Sequence, residues 1–280
     1  MTSDQALNMG ALRELYRSGQ ARPSDVVAAL YDRIRQAPLQ PVWISLVPRE
    51  TALAQTRELE RDPLARARPL YGIPFAIKDN IDLAELPTTA GCPAYAYSPS
   101  RSATVVEALV NAGAIPIGKT NLDQFATGLV GTRSPYGACS SVFDPHYISG
   151  GSSSGSAVAV AGGLATFALG TDTAGSGRVP AAFNNLVGLK PTRGLLSNLG
   201  VVPACRTLDC VSVLAATASD ALTVWQVSRG FDAGDPFSRV PKPGQSAAVW
   251  LGGPFRFGVP AAPQLEFFGD EQAARLYRTS

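Results

Sequence analysis

This chain is poor in the residues that most often run hydrolytic chemistry. It has one histidine in 280 residues. A serine hydroxyl is a weak nucleophile until a base takes its proton, and histidine is the usual base. His146 can serve at most one site and lies in a short polar loop, so serine chemistry here needs another base. Lysine is almost as scarce: among 24 lysines and arginines, only Lys78, Lys119, Lys190 and Lys242 are lysine. The four cysteines, Cys92, Cys139, Cys205 and Cys210, show no C-x-x-C spacing and have no histidine partners, which argues against a zinc site. No metal and no cofactor is expected. Charged residues make up 16% of the chain and the net charge is +2, so neither nucleic acid nor a membrane surface is an expected partner. No uninterrupted apolar run approaches the ~20 residues that span a bilayer. The first residues lack the apolar stretch of a secretory signal. A cytoplasmic protein with reduced thiols is the expectation.

With 45% hydrophobic residues, the chain can build a sizeable core. Residues 11–18 and 24–36 read as amphipathic helices, the second with Ser24 as N-cap and Val26, Val27, Leu30, Tyr31 and Ile34 on one face. Phe75–Asn80 reads as a strand, 102–112 as a helix ended by Gly113, and 114–117 as a strand. Thr120-Asn121-Leu122-Asp123 resembles a capping box opening a short helix. Ala157–Ala161 reads as helix, with strands at 166–169 and 187–189. Strand–helix–strand spacing of this kind points to parallel pairing in an α/β fold. The tail from 231 is rich in proline and glycine. Phe255–Val259 there is a candidate strand and Asp270–Tyr277 starts a helix that reaches the terminus with no C-cap, as expected of an architecture cut short.

Two Gly/Ser loops that carry Ser152 and Ser176 stand out: Gly150-Gly151-Ser152-Ser153-Ser154-Gly155-Ser156 and Gly170-Thr171-Asp172-Thr173-Ala174-Gly175-Ser176. The first matches G-x-S-x-G, but a nucleophile elbow needs a strand before it and a histidine after it. Pro145 interrupts the preceding stretch, and no histidine follows. The turn Thr173-Ala174-Gly175-Ser176 is built of small residues whose successive N–H groups can face a developing oxyanion; it can equally be a plain connecting turn. Arginine keeps its proton in a protein, whereas a desolvated lysine can lose one. Lys78 lies in the apolar strand Ile73-Pro74-Phe75-Ala76-Ile77-Lys78. Alternation places Phe75 and Ile77 on one face and Ala76, Lys78 and Asn80 on the other. As a base, Lys78 needs its pKa lowered from ~10.4 by several units; the plainer reading is a strand-end lysine snorkelling to water. Lys119 is expected to face solvent and Lys190 to cap a turn.

These residues together carry a resemblance. The two loops, together with Gly72-Ile73-Pro74-Phe75-Ala76-Ile77-Lys78-Asp79-Asn80, Gly118-Lys119-Thr120-Asn121-Leu122-Asp123-Gln124-Phe125 and Val187-Gly188-Leu189-Lys190-Pro191-Thr192, resemble the amidase signature family from about Tyr71 to Gly194. The resemblance implies a mixed, largely parallel central sheet flanked by helices on both faces. It implies Ser176 as nucleophile, Ser152 as a bridging serine next to a cis peptide bond, Lys78 as general base and the N–H groups of Thr173, Ala174, Gly175 and Ser176 as oxyanion hole. Ser153, Ser154 and Ser156 are then structural, and Asp172 and Arg178 an internal ion pair. Asn121–Gly137 and Thr173–Asn185 look most like the allophanate-cleaving branch of that family, with Gly128 in the substrate wall and the carboxylate-binding residues beyond residue 280. The expected organisation is one amidase-type domain over 1–280: a helical segment 1–70, a catalytic core 71–230 and, from 231 to 280, the start of a further portion. The expected partner is a small-molecule amide, with a homodimer as the assembly to consider. The alternatives are a general amidase, the A-type component of an amidotransferase, or an inactive remnant kept as a binding module.

Overall fold

The computed structural model describes residues 8–37, 40–240, 254 and 256–279. In chain order the elements are α1 (Met9–Arg17), α2 (Pro23–Gln36), β1 (Trp43–Leu46), α3 (Arg49–Arg61), β2 (Pro74–Lys78), α4 (Thr104–Asn111), β3 (Ile115–Thr120), α5 (Ser154–Ala161), β4 (Phe167–Asp172), α6 (Arg178–Phe183), β5 (Val187–Leu189), β6 (Cys210–Ala215), α7 (Ala218–Ser228) and α8 (Glu271–Thr279). Met1–Pro241 form one unit and Lys242–Ser280 a second.

Among the described residues the six strands belong to the first unit and form one sheet in the order β1-β3-β2-β4-β6-β5. Its centre is parallel, β2 lying between β3 and β4. β1, β6 and β5 join antiparallel. The alternation along β2 sorts side chains between two cores. Phe75 and Ile77 enter a large core with residues of α1, α2, α3, α4 and α7. Ala76 and Ala168 face a smaller core with Ala157, Val158 and Val160 of α5. Small residues on both surfaces let α5 approach the sheet closely. Ser156 fastens it there, its hydroxyl donating to Leu169 O at 3.0 Å. On the other face Phe75 and Phe167 stack with centroids 5.1 Å apart, an arrangement worth ~1 kcal/mol beyond the area it buries.

Several expectations shift. The second helix begins at Pro23, with Arg22 rather than Ser24 at the N-cap, because proline suits the first helical position, where its missing N–H has no partner to lose. Thr120–Asp123 opens no α-helix: Thr120 ends β3 and only a 3-10 turn, Gln124–Ala126, follows. The Asn121 amide is drawn instead to Pro41 O and Gly137 O, both at 2.9 Å. In the second unit α8 forms. The candidate strand at Phe255–Val259 begins at a residue outside those described, Lys242 too lies outside them, and residues 256–259 have no regular structure.

Lys119 does not face solvent. It is fully buried and pairs with Asp79 at 3.1 Å, and its amine also donates to Thr88 Oγ1 at 2.9 Å. Burial pulls its pKa down and Asp79 works against that pull. Removing one partner of a buried pair strands the other charge, at a cost of about 3–5 kcal/mol. Lys119→Met is therefore expected to lower the urea unfolding free energy by about that amount; a change below ~1 kcal/mol would mean that the amine reaches water.

Candidate active site

The end of β2, the loop before α5 and the turn after β4 meet at Lys78. Its side chain is fully buried, and its amine donates to Ser152 Oγ and to Thr171 Oγ1, both at 2.7 Å. Both partners are hydroxyls, so they satisfy the amine without adding a countercharge. Burial is the main influence on this amine and lowers its pKa to about 7; Asp123, Asp172 and Asp209 pull the other way. Thr171 is steadied by Asn80, whose amide donates to it at 3.3 Å and to Val202 O at 3.0 Å. A pKa lowered this far brings the neutral amine, the form that can accept a proton, within reach of neutral pH.

Ser152 follows a cis peptide bond, Gly151–Ser152, where the resemblance placed one. No strand leads into the loop, as a nucleophile elbow would require. The other serines bond to backbone: Ser153 Oγ to Thr171 O at 3.3 Å and Ser154 Oγ to Asn121 O at 3.4 Å. The second loop is joined to the first by Ser153 N–H, which donates to Ser176 O at 3.1 Å. The Ser176 hydroxyl donates to Gly128 O at 3.2 Å. The loops of Ser152 and Ser176 are thus linked through Ser153, by its N–H to Ser176 O and its hydroxyl to Thr171 O, and not hydroxyl to hydroxyl.

The turn after β4 is organised by Asp172. Its Oδ1 accepts from Gly175 N–H at 2.9 Å and Arg178 Nη2 at 3.0 Å. Its Oδ2 accepts from Gly177 N–H and Arg178 N–H, both at 3.1 Å, and from Arg178 Nε at 2.9 Å. Desolvation raises the Asp172 pKa, but Arg178 and these N–H donors outweigh it, leaving the carboxyl below its usual value. Gly175 N–H is committed to Asp172, whereas no acceptor is found for the N–H groups of Thr173, Ala174 and Ser176 among the described residues.

Thr171, Asp209 and Asp123 complete the neighbourhood and were not anticipated. Asp209 is buried, accepting from Thr173 Oγ1 at 2.5 Å and from Ala204 N–H and Cys205 N–H at 3.1 Å. Thr171 lies inside the second loop motif, where its side-chain alternation is readable. Asp209 lies 36 residues from its partner Thr173, and no local pattern connects them. His146 stands apart, with its side chain 90% exposed and paired with Asp144. Lys190 donates to Pro191 O at 2.8 Å, the turn role expected of it. Among the described residues no group of three or more His, Cys, Asp or Glu side chains is placed to hold a metal ion, and no helix is long and apolar enough to cross a membrane.

Comparison with known proteins identifies the family. Residues 25–279 match the sequence model of the family described as Amidase. The chain is 56% identical over 209 residues to urea amidolyase of Saccharomyces cerevisiae, covering 74% of this chain and 11% of that protein. It is 42% identical over 223 residues to the A subunit of glutamyl-tRNA(Gln) amidotransferase from Methanosarcina acetivorans, covering 79% of this chain and 46% of that protein. The solved structure of Kluyveromyces lactis allophanate hydrolase superposes with a TM-score of 0.76 at 53% identity, over 81% of this chain and 38% of that one. The chain thus spans about a tenth of the urea amidolyase and under half of the other two.

Asp172→Asn keeps the shape but loses the charge and one acceptor oxygen. It is expected to destabilise the fold by about 3 kcal/mol, read as a lower urea midpoint at unchanged slope. Because the folded carboxyl has a lowered pKa, its contribution is complete above the usual carboxylate range and fades as pH falls through the folded value. The acid destabilisation of the wild type should accordingly be shallower in Asp172→Asn; curves of equal slope would contradict this.

Proposed function

This chain belongs to the amidase family, and from that premise we propose that its site is a serine amidohydrolase cleaving a C–N bond of allophanate, a small urea-derived amide, with release of ammonia. The observation that carries the proposal is the Lys78 amine, wholly buried and 2.7 Å from Ser152 Oγ. The choice of substrate is supported by the names of the urea amidolyase and allophanate hydrolase relatives, at 56% and 53% identity, against 42% for the amidotransferase relative. Four free thiols accord with a reducing compartment, and we place the enzyme in the cytoplasm.

In this mechanism neutral Lys78 takes the Ser152 proton as Ser152 takes that of Ser176. Ser176 Oγ meanwhile forms a bond to the amide carbonyl carbon of allophanate, the carbon that carries the terminal NH2. The Ser176 hydroxyl must exchange Gly128 O for Ser152 Oγ to enter the relay. The N–H groups of Thr173, Ala174 and Ser176 receive the developing oxyanion. Collapse of the tetrahedral species breaks the C–N bond, and the relay returns the proton to the departing nitrogen, which leaves as ammonia. A water molecule, deprotonated through the same relay, then attacks the acyl group and frees Ser176.

Ammonia release from allophanate by the 280-residue chain tests the proposal. Ser176→Ala is expected to lower the rate by at least ~10³-fold while the thermal transition stays in place. Lys78→Arg keeps a charge but supplies no base, so it should be nearly as inactive as Lys78→Ala. An active arginine variant would rule out Lys78 as base. Since the amine must be neutral, kcat/KM should rise with pH through about 7 and level off above it. Ammonia release from glutamine, with none from allophanate, would move the assignment to the amidotransferase type.

A further inference from the structure

We propose that Asp123 is the positioning residue of this site: its carboxylate shapes the 123–133 loop so that the backbone acceptors of both serine loops stand in register. The proposal rests on the roles given above to Ser152 and Ser176. Asp123 is fully buried, and among the described residues no cation pairs with it. Its Oδ2 accepts from Gly131 N–H at 3.0 Å and its Oδ1 from Arg133 N–H at 2.8 Å. Gln124 N–H donates to Arg133 O at 2.8 Å, closing the loop at its base.

Each serine loop then docks on a carbonyl inside that closed loop. Gly128 O accepts from the Ser176 hydroxyl at 3.2 Å. Leu129 O accepts from Gly151 N–H at 2.8 Å, and Asp123 N–H donates to Ser152 O at 3.1 Å. Residues 151 and 152 are thus held from both sides by one loop whose interior is the Asp123 carboxylate. The packing leaves no slack. A Cβ on Gly128 would lie 2.6 Å from Asp123 Oδ2, and one on Gly151 would overlap the same oxygen. Bare backbone at these two positions is what allows both to rest on the carboxylate.

An unpaired buried carboxylate is costly to keep, and hydrogen bonds to two N–H groups would be met at lower cost by a neutral acceptor. The charge has a use beside Lys78. Three carboxylates favour the protonated amine against its burial: Asp123, whose influence is largest, Asp172, already paired with Arg178, and Asp209, held by Thr173 and two N–H groups. Asp123 therefore couples the position of the serines to the pH at which their base is ready.

Two variants separate these effects, with the rate of Ser176 labelling by a fluorophosphonate, located by mass spectrometry, as the readout. Asp123→Asn removes the charge and turns one acceptor into a donor. Its labelling should slow by about 10- to 100-fold and its acid limb move to lower pH, because a carboxylate that favoured protonated Lys78 is gone. Gly128→Ala keeps the charge beside Lys78 and pushes the 123–133 loop away from it; it should be slowed comparably with the limb unmoved. Wild-type rate and limb in folded Asp123→Asn, or a wild-type rate in Gly128→Ala should Asp123→Asn not fold, would overturn the positioning role. Absence of labelling in the wild type would instead overturn the nucleophile assignment, and the role of Asp123 with it.

Discussion

The site depends on the withdrawal of one amine from water. Lys78 and Lys119 stand on neighbouring strands of the same sheet and both are fully buried, yet the protein treats them oppositely. Lys119 is given a carboxylate at 3.1 Å and serves as a fastening between β3 and the loop after β2. Lys78 is given two hydroxyls at 2.7 Å, which satisfy its hydrogen bonds without returning the countercharge that would hold its proton. A buried ammonium without a close anion is expensive, and the least costly response is to give up the proton. The carboxylates that bear on Lys78 have other tasks nearby, ordering turns with N–H donors and, for Asp172, with Arg178.

Much of the surrounding architecture serves this one placement. Alternation along β2 sends Phe75 and Ile77 into the large core and leaves Ala76 beneath the small residues of α5. The close approach of α5 brings the Ser152 loop over the end of β2. β4 runs parallel beside it and delivers Thr171 and the Asp172 turn to the same edge. In an open sheet the crevice beyond the carboxyl ends of parallel strands is the usual place for a ligand, and here the three functional segments converge on it.

The fold was legible where the pattern is local. Alternation in 74–78, the apolar run of α2 and the small-residue stretch before β4 all form the elements their periods indicate. The failures have a common cause in distant partners. Thr120, Asn121 and Asp123 look like a helix start because such side chains can cap one, but Asn121 is claimed by Pro41 and Gly137 and Asp123 by Gly131 and Arg133. β6 is buried on both faces and so lacks the alternation that marks a half-exposed strand, while β1 is four residues long and only partly buried. Lys119 looks solvated in the sequence because nothing there joins it to Asp79, 40 residues earlier. The motif serines and Lys78 could be singled out from residue type and loop composition. Gly175 could not be separated from its neighbours in the turn, since which N–H is already spent depends on the Asp172 side chain.

The measurement that tests the central claim most directly is an NMR titration of the Lys78 amine. With four lysines in the chain, 15N-labelling of lysine and a Lys78→Met control suffice to assign its signal. The amine is expected to titrate near pH 7, about where burial leaves it. A signal that stays protonated until pH ~10, the ordinary lysine range, would show that Lys78 is a charged structural residue and that the base of this site lies elsewhere.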